Sequence, residues 1–258
     1  MDRTGRNEMN VLDLPLSWYV SKLECGEPFS SLLYGDGEFR VMSGKLTGQV
    51  YTNYRERITA QLVYELNASL DDPDSNIVRG SDPHVLDWTT YGGQDVAMVR
   101  EASDCAQAVI GSRQIAWTNG CVWDESVREG KLGTLLKVIN ERQTMIFACG
   151  KVCNWFHEEL DVSGLQLVKM PERDACNYLD HIKWVDASYT DVFIVCTGLG
   201  AIPLIMRLRK RYPQATFLDL GSTFDMFAKI GAERGWRREL YQDEAAWRAL
   251  VAKNLEGV

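Results

Sequence analysis

Short apolar runs alternate along the chain with longer stretches whose apolar residues recur at three- and four-residue spacing, the pattern of strands interleaved with amphipathic helices. The runs predict strands over residues 31–34, 76–79, 114–117, 145–149, 165–168, 192–196 and 215–218. Helices are predicted over 15–25, 54–70, 96–110, 132–140, 175–185, 202–212 and 243–255. In the second of these, Ile58, Leu62, Leu66 and Leu70 fall on one face. The runs around Phe147 and Ile194 are apolar almost throughout, as parallel strands covered on both faces must be. The expected fold is therefore α/β: a Rossmann-like, mostly parallel sheet with helices on both faces and right-handed crossovers. Such sheets bind ligands beyond the carboxyl ends of their strands, so the residues that follow each strand are where chemistry is expected.

Residues 1–10 read as a polar tail and 11–258 as one continuous domain without linkers or repeats. With 45% apolar and 25% charged residues, the composition excludes collagen-like, coiled-coil and disordered chains. A net charge of −8 repels phosphate backbones and anionic membranes. A nucleic-acid partner would need a local basic patch, for which Arg207, Arg209, Lys210 and Arg211, and the pair Arg237-Arg238, are the candidates; solvated helix faces are the plainer reading. No apolar run spans a membrane and the first residues lack a signal peptide's apolar core, so a cytoplasmic location is expected. The seven cysteines are irregularly spaced, which suits reduced thiols. Cys149, Cys153 and His157 could share a helical face as metal ligands, although packing is the usual role of such cysteines. Trp88, Tyr91, Trp117 and Trp123 lie in a less regular stretch and suit either the core or stacking on a sugar or base.

Three post-strand segments carry candidate chemistry. In Tyr34-Gly35-Asp36-Gly37-Glu38, an extended backbone would point Asp36 and Glu38 the same way, onto one divalent cation or sugar hydroxyls. Gly35 and Gly37 would let the backbone approach a ligand; the alternative is a hairpin turn. Gly150-Lys151, at a strand-to-helix turn, could hold a phosphate, or Lys151 could simply be solvated. Residues 192–219 form the most regular βαβ unit, with Gly198 and Gly200 in the turn, Pro203 in the first helical turn and Asp219 placed for a ribose. The third glycine of a dinucleotide fingerprint is absent. Beyond Asp219, Ser222, Thr223 and Asp225 add hydroxyls and a carboxylate, with helix capping as the alternative for the hydroxyls. Arg173 and Asp174 could face the same cleft, or Asp174 could cap a helix.

Leu33-Tyr34-Gly35-Asp36-Gly37-Glu38-Phe39, Met170-Pro171-Glu172-Arg173-Asp174-Ala175, and the block from Thr197-Gly198-Leu199-Gly200 through Leu218-Asp219-Leu220-Gly221-Ser222 to Asp225 together resemble, in order, the GT-D type glycosyltransferases with their Asp-x-Glu motif. Departures are Asp174 where the family often has Asn, Ser222 where one branch has His, and no acid-rich run around Asp225. The resemblance implies transfer of a sugar from a nucleotide donor, a UDP-sugar first among them, to a hydroxyl of a glycan, a glycoprotein or hydroxymethylated phage DNA. It implies that Asp36 and Glu38 serve Mn²⁺ or Mg²⁺ and the donor diphosphate. Donor binding would then engage Gly35, Gly37, Lys151, Gly198, Gly200, Asp219 and Ser222, with Asp225 the expected general base and Asp219 the alternative to it. Competing readings are an NAD- or S-adenosylmethionine-dependent Rossmann enzyme using Gly198, Gly200 and Asp219, and a non-catalytic nucleotide-binding module.

Overall fold

The computed structural model describes residues 11–46, 50–51, 56–93, 96–160, 164–171, 174–178, 187–231 and 235–258. The expected polar tail, Arg173, and most of the expected 175–185 helix lie outside them. The strands are β1 (Val11–Leu12), β2 (Ser30–Tyr34), β3 (Val50–Tyr51), β4 (Glu56–Arg57), β5 (Ile77–Ser81), β6 (Trp117–Asn119), β7 (Thr144–Cys149), β8 (Leu165–Met170), β9 (Val192–Cys196) and β10 (Thr216–Asp219). The helices are α1 (Leu16–Cys25), α2 (Asp36–Met42), α3 (Ala60–Leu70), α4 (Pro83–Leu86), α5 (Val96–Ile110), α6 (Val122–Arg128), α7 (Gly133–Asn140), α8 (Gly150–Glu159), α9 (Ala175–Tyr178), α10 (Ala201–Arg211), α11 (Gly235–Gln242) and α12 (Glu244–Asn254).

Eight strands pair in the order β1-β6-β5-β2-β10-β9-β7-β8, every pair parallel. Strands β3 and β4 form a separate antiparallel pair. The apolar runs of the sequence split by alternation between two cores. Met145, Phe147, Phe193, Val195 and Phe217 face one layer with Leu66, Ala106 and Leu204. Ile146, Ala148, Ile194 and Leu218 face the other, with Leu23, Leu136 and Phe156. Both faces of each strand are thus removed from water, which is why these strands carry no polar alternation.

Local signals place the helix ends. Thr59 Oγ1 accepts the Leu62 N–H at 3.1 Å, so α3 starts there and not at the expected Tyr54; Ile58 lies ahead of it. Asp243 Oδ1 accepts the Ala246 N–H at 3.0 Å and opens α12.

After β2 the chain leaves to one side, through β5 and β6, and later fills the other side with β7, β8, β9 and β10. The direction reverses between β2 and β10. In an open α/β sheet a crevice forms at that switch, outside the carboxyl ends.

Candidate active site

The crevice at the switch holds two carboxyl groups. Asp219 ends β10 and is 3% exposed. Its Oδ2 accepts the Leu33 N–H of β2 at 3.2 Å and its Oδ1 the Gly221 N–H at 2.9 Å. Gly221 has φ 54°, the left-handed turn that glycine allows at little cost and that aims this N–H back at the strand end. Glu38 is half-buried in the first turn of α2, and its Oε2 accepts the Gly35 N–H at 2.8 Å. A Cβ on Gly35 would stand 3.1 Å from that oxygen, so a side chain there would crowd the carboxyl.

Burial raises both acids. The Glu38 carboxyl is pushed up to about 7 by desolvation, offset in part by the Gly35 N–H and raised further by Asp36. Asp219 is pushed up to about 8 by desolvation, and the Glu38 charge adds to the rise. Asp219, at the end of β10, thus feels the Glu38 charge from beyond the end of the neighbouring β2.

The segment around Asp36 corrects one expectation. It is neither extended nor a hairpin: Asp36, Gly37 and Glu38 form the first turn of α2. Residues two apart on a helix do not face each other. Asp36 is half-exposed, with Oδ2 3.8 Å from Arg40 Nη1, while Glu38 turns back onto Gly35. The tertiary neighbour that Glu38 opposes is Asp219.

Other expected site residues line the same sheet edge. Thr197 follows β9, then a 3₁₀ turn over Gly198–Gly200 leads into α10, with Pro203 buried in its first turn. Gly198 has φ 57° and open space where a Cβ would be. Gly150 and the exposed Lys151 open α8 after β7. Because β7, β9, β10 and β2 are consecutive in the sheet, Lys151 and Gly35 belong to strand ends about 14 Å apart, three spacings of a parallel sheet.

Ser222 and Asp225 are engaged by Arg237, a residue expected to be solvated. Arg237 is fully buried. Its Nη2 donates to the Ser222 carbonyl at 2.9 Å, to Ser222 Oγ at 3.3 Å and to Asp124 Oδ1 at 3.2 Å, and its Nη1 lies 3.7 Å from Asp225 Oδ2. Ser222 makes no side-chain cap to the 3₁₀ turn that follows, while the Thr223 hydroxyl donates to the Leu220 carbonyl. Cys196 sits among these acids: its thiol is pushed far up by burial and by the charges of Asp219 and Asp225. The sequence marks Arg237 only as half of the basic pair Arg237-Arg238, and Cys196 only as one of the reduced thiols.

Two further readings change. Asp174 accepts the Arg57 N–H at 2.8 Å, tying the start of α9 to β4. Trp117 and Trp123 are core residues, 1% exposed each, whereas Trp88 and Tyr91 are half-buried. Cys149 and Cys153 are not joined in a disulfide, and among the described residues no group of three or more His, Cys, Asp or Glu is placed to hold a metal ion.

No protein-family model matches the chain, and no curated protein matches it. Solved structures do. One, described as "a new glycosyltransferase (DUF1792) from Streptococcus sanguinis", superposes at a TM-score of 0.62 with 15% identity, covering 90% of this chain and 85% of that one. Another, described as showing that "the highly conserved domain of unknown function 1792 has a distinct glycosyltransferase fold", gives 0.63 with 16% identity, covering 90% and 82%. This chain has that glycosyltransferase fold. In that fold Glu38 and Asp219 stand just past the end of β2 and at the end of β10, the Gly198 turn follows β9, and Asp225 follows β10 with Arg237 Nη1 3.7 Å from its Oδ2. Among the described residues no helix is long and apolar enough to cross a membrane.

Proposed function

We propose that the chain transfers a sugar from a nucleotide-sugar donor, a UDP-sugar first among them, to a hydroxyl acceptor. The observation that carries this reading is the opposed Glu38–Asp219 pair at the switch point of a glycosyltransferase fold.

The donor's nucleoside and diphosphate would lie along the strand ends between Gly35 and Lys151. The Gly198–Gly200 turn offers close backbone approach and the exposed Lys151 at the start of α8 suits a phosphate, while the nearly sealed Asp219 ties the ends of β10 and β2 beneath them. Ser222 reaches such a donor only through the backbone that Arg237 holds in place.

A divalent cation fits the donor set in one respect. Glu38 and Asp36 are hard oxygen ligands beside a crevice whose acids already oppose one another, so positive charge is favoured there. Mg²⁺ commonly takes only one or two carboxylates and completes its shell with substrate phosphates and water. When bound, Mn²⁺ or Mg²⁺ would neutralise charge developing on the leaving diphosphate. Glu38 would be its carboxylate ligand; Asp36, which does not face Glu38 on α2, is not needed to hold it.

The acceptor hydroxyl must lose a proton as its oxygen attacks the sugar carbon. Asp219 is nearly sealed from solvent, with both oxygens on backbone N–H groups. Asp225, with a side chain 26% exposed, is the reachable acid, and we assign it the base, oriented by Arg237.

The test is a donor panel: thermal shift and slow hydrolysis with UDP-, GDP-, CDP- and dTDP-sugars, NAD and S-adenosylmethionine, each with Mn²⁺ or EDTA. Metal-dependent stabilisation by one sugar nucleotide, lost in Glu38→Gln, supports the reading. Stabilisation by NAD or S-adenosylmethionine alone, indifferent to metal and to that substitution, overturns it. Asp225→Asn with full transfer activity would remove Asp225 as the base.

A further inference from the structure

The crevice edge continues past β5 into a small aromatic shelf. Asp82 follows the carboxyl end of β5 and caps α4 through the His84 N–H at 2.8 Å. A 3₁₀ turn over Trp88–Thr90 follows directly, capped by Asp87 Oδ1, which accepts the Thr89 N–H at 3.0 Å and the Thr89 hydroxyl at 2.7 Å. The His84 ring meets Tyr91 edge-on, 5.3 Å between centroids, and its Nδ1 is 2.9 Å from Thr90 Oγ1. The Arg100 guanidinium lies over Trp88 at 5.1 Å. Met98, 53% exposed, adds apolar surface on the first turns of α5. Helix α5 packs against both α4 and α2, the helix that carries Glu38, so shelf and crevice share one sheet edge.

Half-buried Trp and Tyr beside hydroxyls, a carboxylate and a guanidinium combine flat apolar faces with polar groups of both signs. That is the chemistry that grips a pyranose, whose C–H faces are apolar and whose rim is hydroxyl. The distribution of charge argues against a polyanion. Of the basic clusters that could have followed a DNA backbone, Arg207 pairs with Glu65 at 2.7 Å, Arg209 pairs with Asp72 and Asp74, and Arg237 is buried among Ser222, Asp124 and Asp225; the exposed Lys210 and Arg211 end α10 at the amino-terminal side of the sheet, away from the shelf, and Arg238 is exposed on α11. The strand-end side carries Asp36, Asp82, Asp124, Glu125 and Asp225 against the exposed Lys151, and the chain carries −8 overall.

We infer that the shelf formed by His84, Trp88, Tyr91 and Arg100 is the acceptor subsite, and that it takes a neutral sugar unit, not a nucleic acid. The inference rests on the glycosyl-transfer reading for its role but not for its binding. The shelf can be tested without donor or turnover, by titrating the full chain with maltotriose, cellotriose, N,N′,N″-triacetylchitotriose and lactose, and with a hydroxymethylcytosine duplex, followed by saturation-transfer NMR and calorimetry. Binding of at least one neutral oligosaccharide is expected. It should weaken about tenfold or more in Trp88→Ala and Tyr91→Ala, the loss of one aromatic stacking contact. Tyr189→Ala, at an 83% exposed aromatic ahead of β9 on the opposite edge, should leave binding unchanged. Met98→Glu, at an exposed position that folding does not depend on, covers the case in which Trp88→Ala is unstable, and should weaken binding as well. Failure of every oligosaccharide to bind, equal affinity in the shelf variants, or binding of the duplex through the shelf each overturns the inference. Sugar binding without hydrolysis of any nucleotide sugar would instead overturn the proposed function and leave the shelf standing.

Discussion

Replacing Glu38 with glutamine keeps the hydrogen bond from the Gly35 N–H and removes a charge that the crevice opposes. In the folded chain the Glu38 carboxyl is pushed up to about 7, against an ordinary value of 4.5. Between those two pH values the unfolded chain has released the proton that the folded chain still holds. Stability therefore falls as pH rises across this window, and the full penalty persists above it. At about 1.4 kcal/mol per pKa unit the ceiling is about 3 kcal/mol, and partial access of solvent brings the expectation to about 1–3 kcal/mol. The Asp219 carboxyl, raised in part by Glu38, relaxes in the same direction when that charge is removed. For a chain of this length the gain corresponds to roughly 3–10 °C in Tm. The assay is a set of urea and thermal melts of wild type and Glu38→Gln from about pH 5 to about pH 9, in EDTA and without donor. The two proteins should coincide at the acid end and separate steadily, with the variant more stable at the alkaline end and inactive in transfer. Parallel profiles, or a variant less stable at high pH, would refute the buried-acid argument.

Other consequences are independent of that pair. Asn254 is fully buried and pins α12 to the α6–α7 corner, accepting the Leu132 N–H at 3.0 Å and donating to the Val127 carbonyl at 2.9 Å and the Leu250 carbonyl at 3.0 Å. Asn254→Ala strands those groups and should cost about 2–4 kcal/mol in a urea titration; a loss under half a kilocalorie would show that α12 contributes little. At Gly120 a Cβ would stand 2.8 Å from the Ser81 backbone nitrogen, between the ends of β5 and β6. Gly120→Ala should cost about 1–3 kcal/mol, because neither paired strand can step aside, and a crystal structure should show the strand ends parted. Gly198→Ala meets no atom but must adopt φ 57°, so about 1 kcal/mol and weakened nucleotide-sugar binding are expected, read by calorimetry.

Much of the layered fold was legible because its cause is local. A parallel strand with helices on both faces must be apolar at every position, and the runs at 145–149 and 192–196 display that without reference to any partner. Helix α12 was legible from Asp243 and α5 from its periodicity, since capping and amphipathicity involve neighbours in sequence. The rule that ligands bind past strand ends pointed to Glu38, Asp219 and Gly198, and the structure places each at or just past a strand end.

Tertiary structure decided what those residues meet. A carboxylate two residues from another pairs with it in a strand and parts from it in a helix, and residues 36–38 became helical because Glu38 could turn back to the Gly35 N–H. Placing β10 beside β2 then set Asp219, far along the chain, opposite Glu38. Arg207, Arg209 and Arg237 read as open positive charge until α3, the segment before β5 and α6 brought Glu65, Asp72, Asp74 and Asp124 to them. Propensity and periodicity act over a few residues and were determined by the sequence alone. Burial, and with it the charge state of the acids and the fate of the arginines, depends on which distant segments exclude water, and only the assembled sheet settles that.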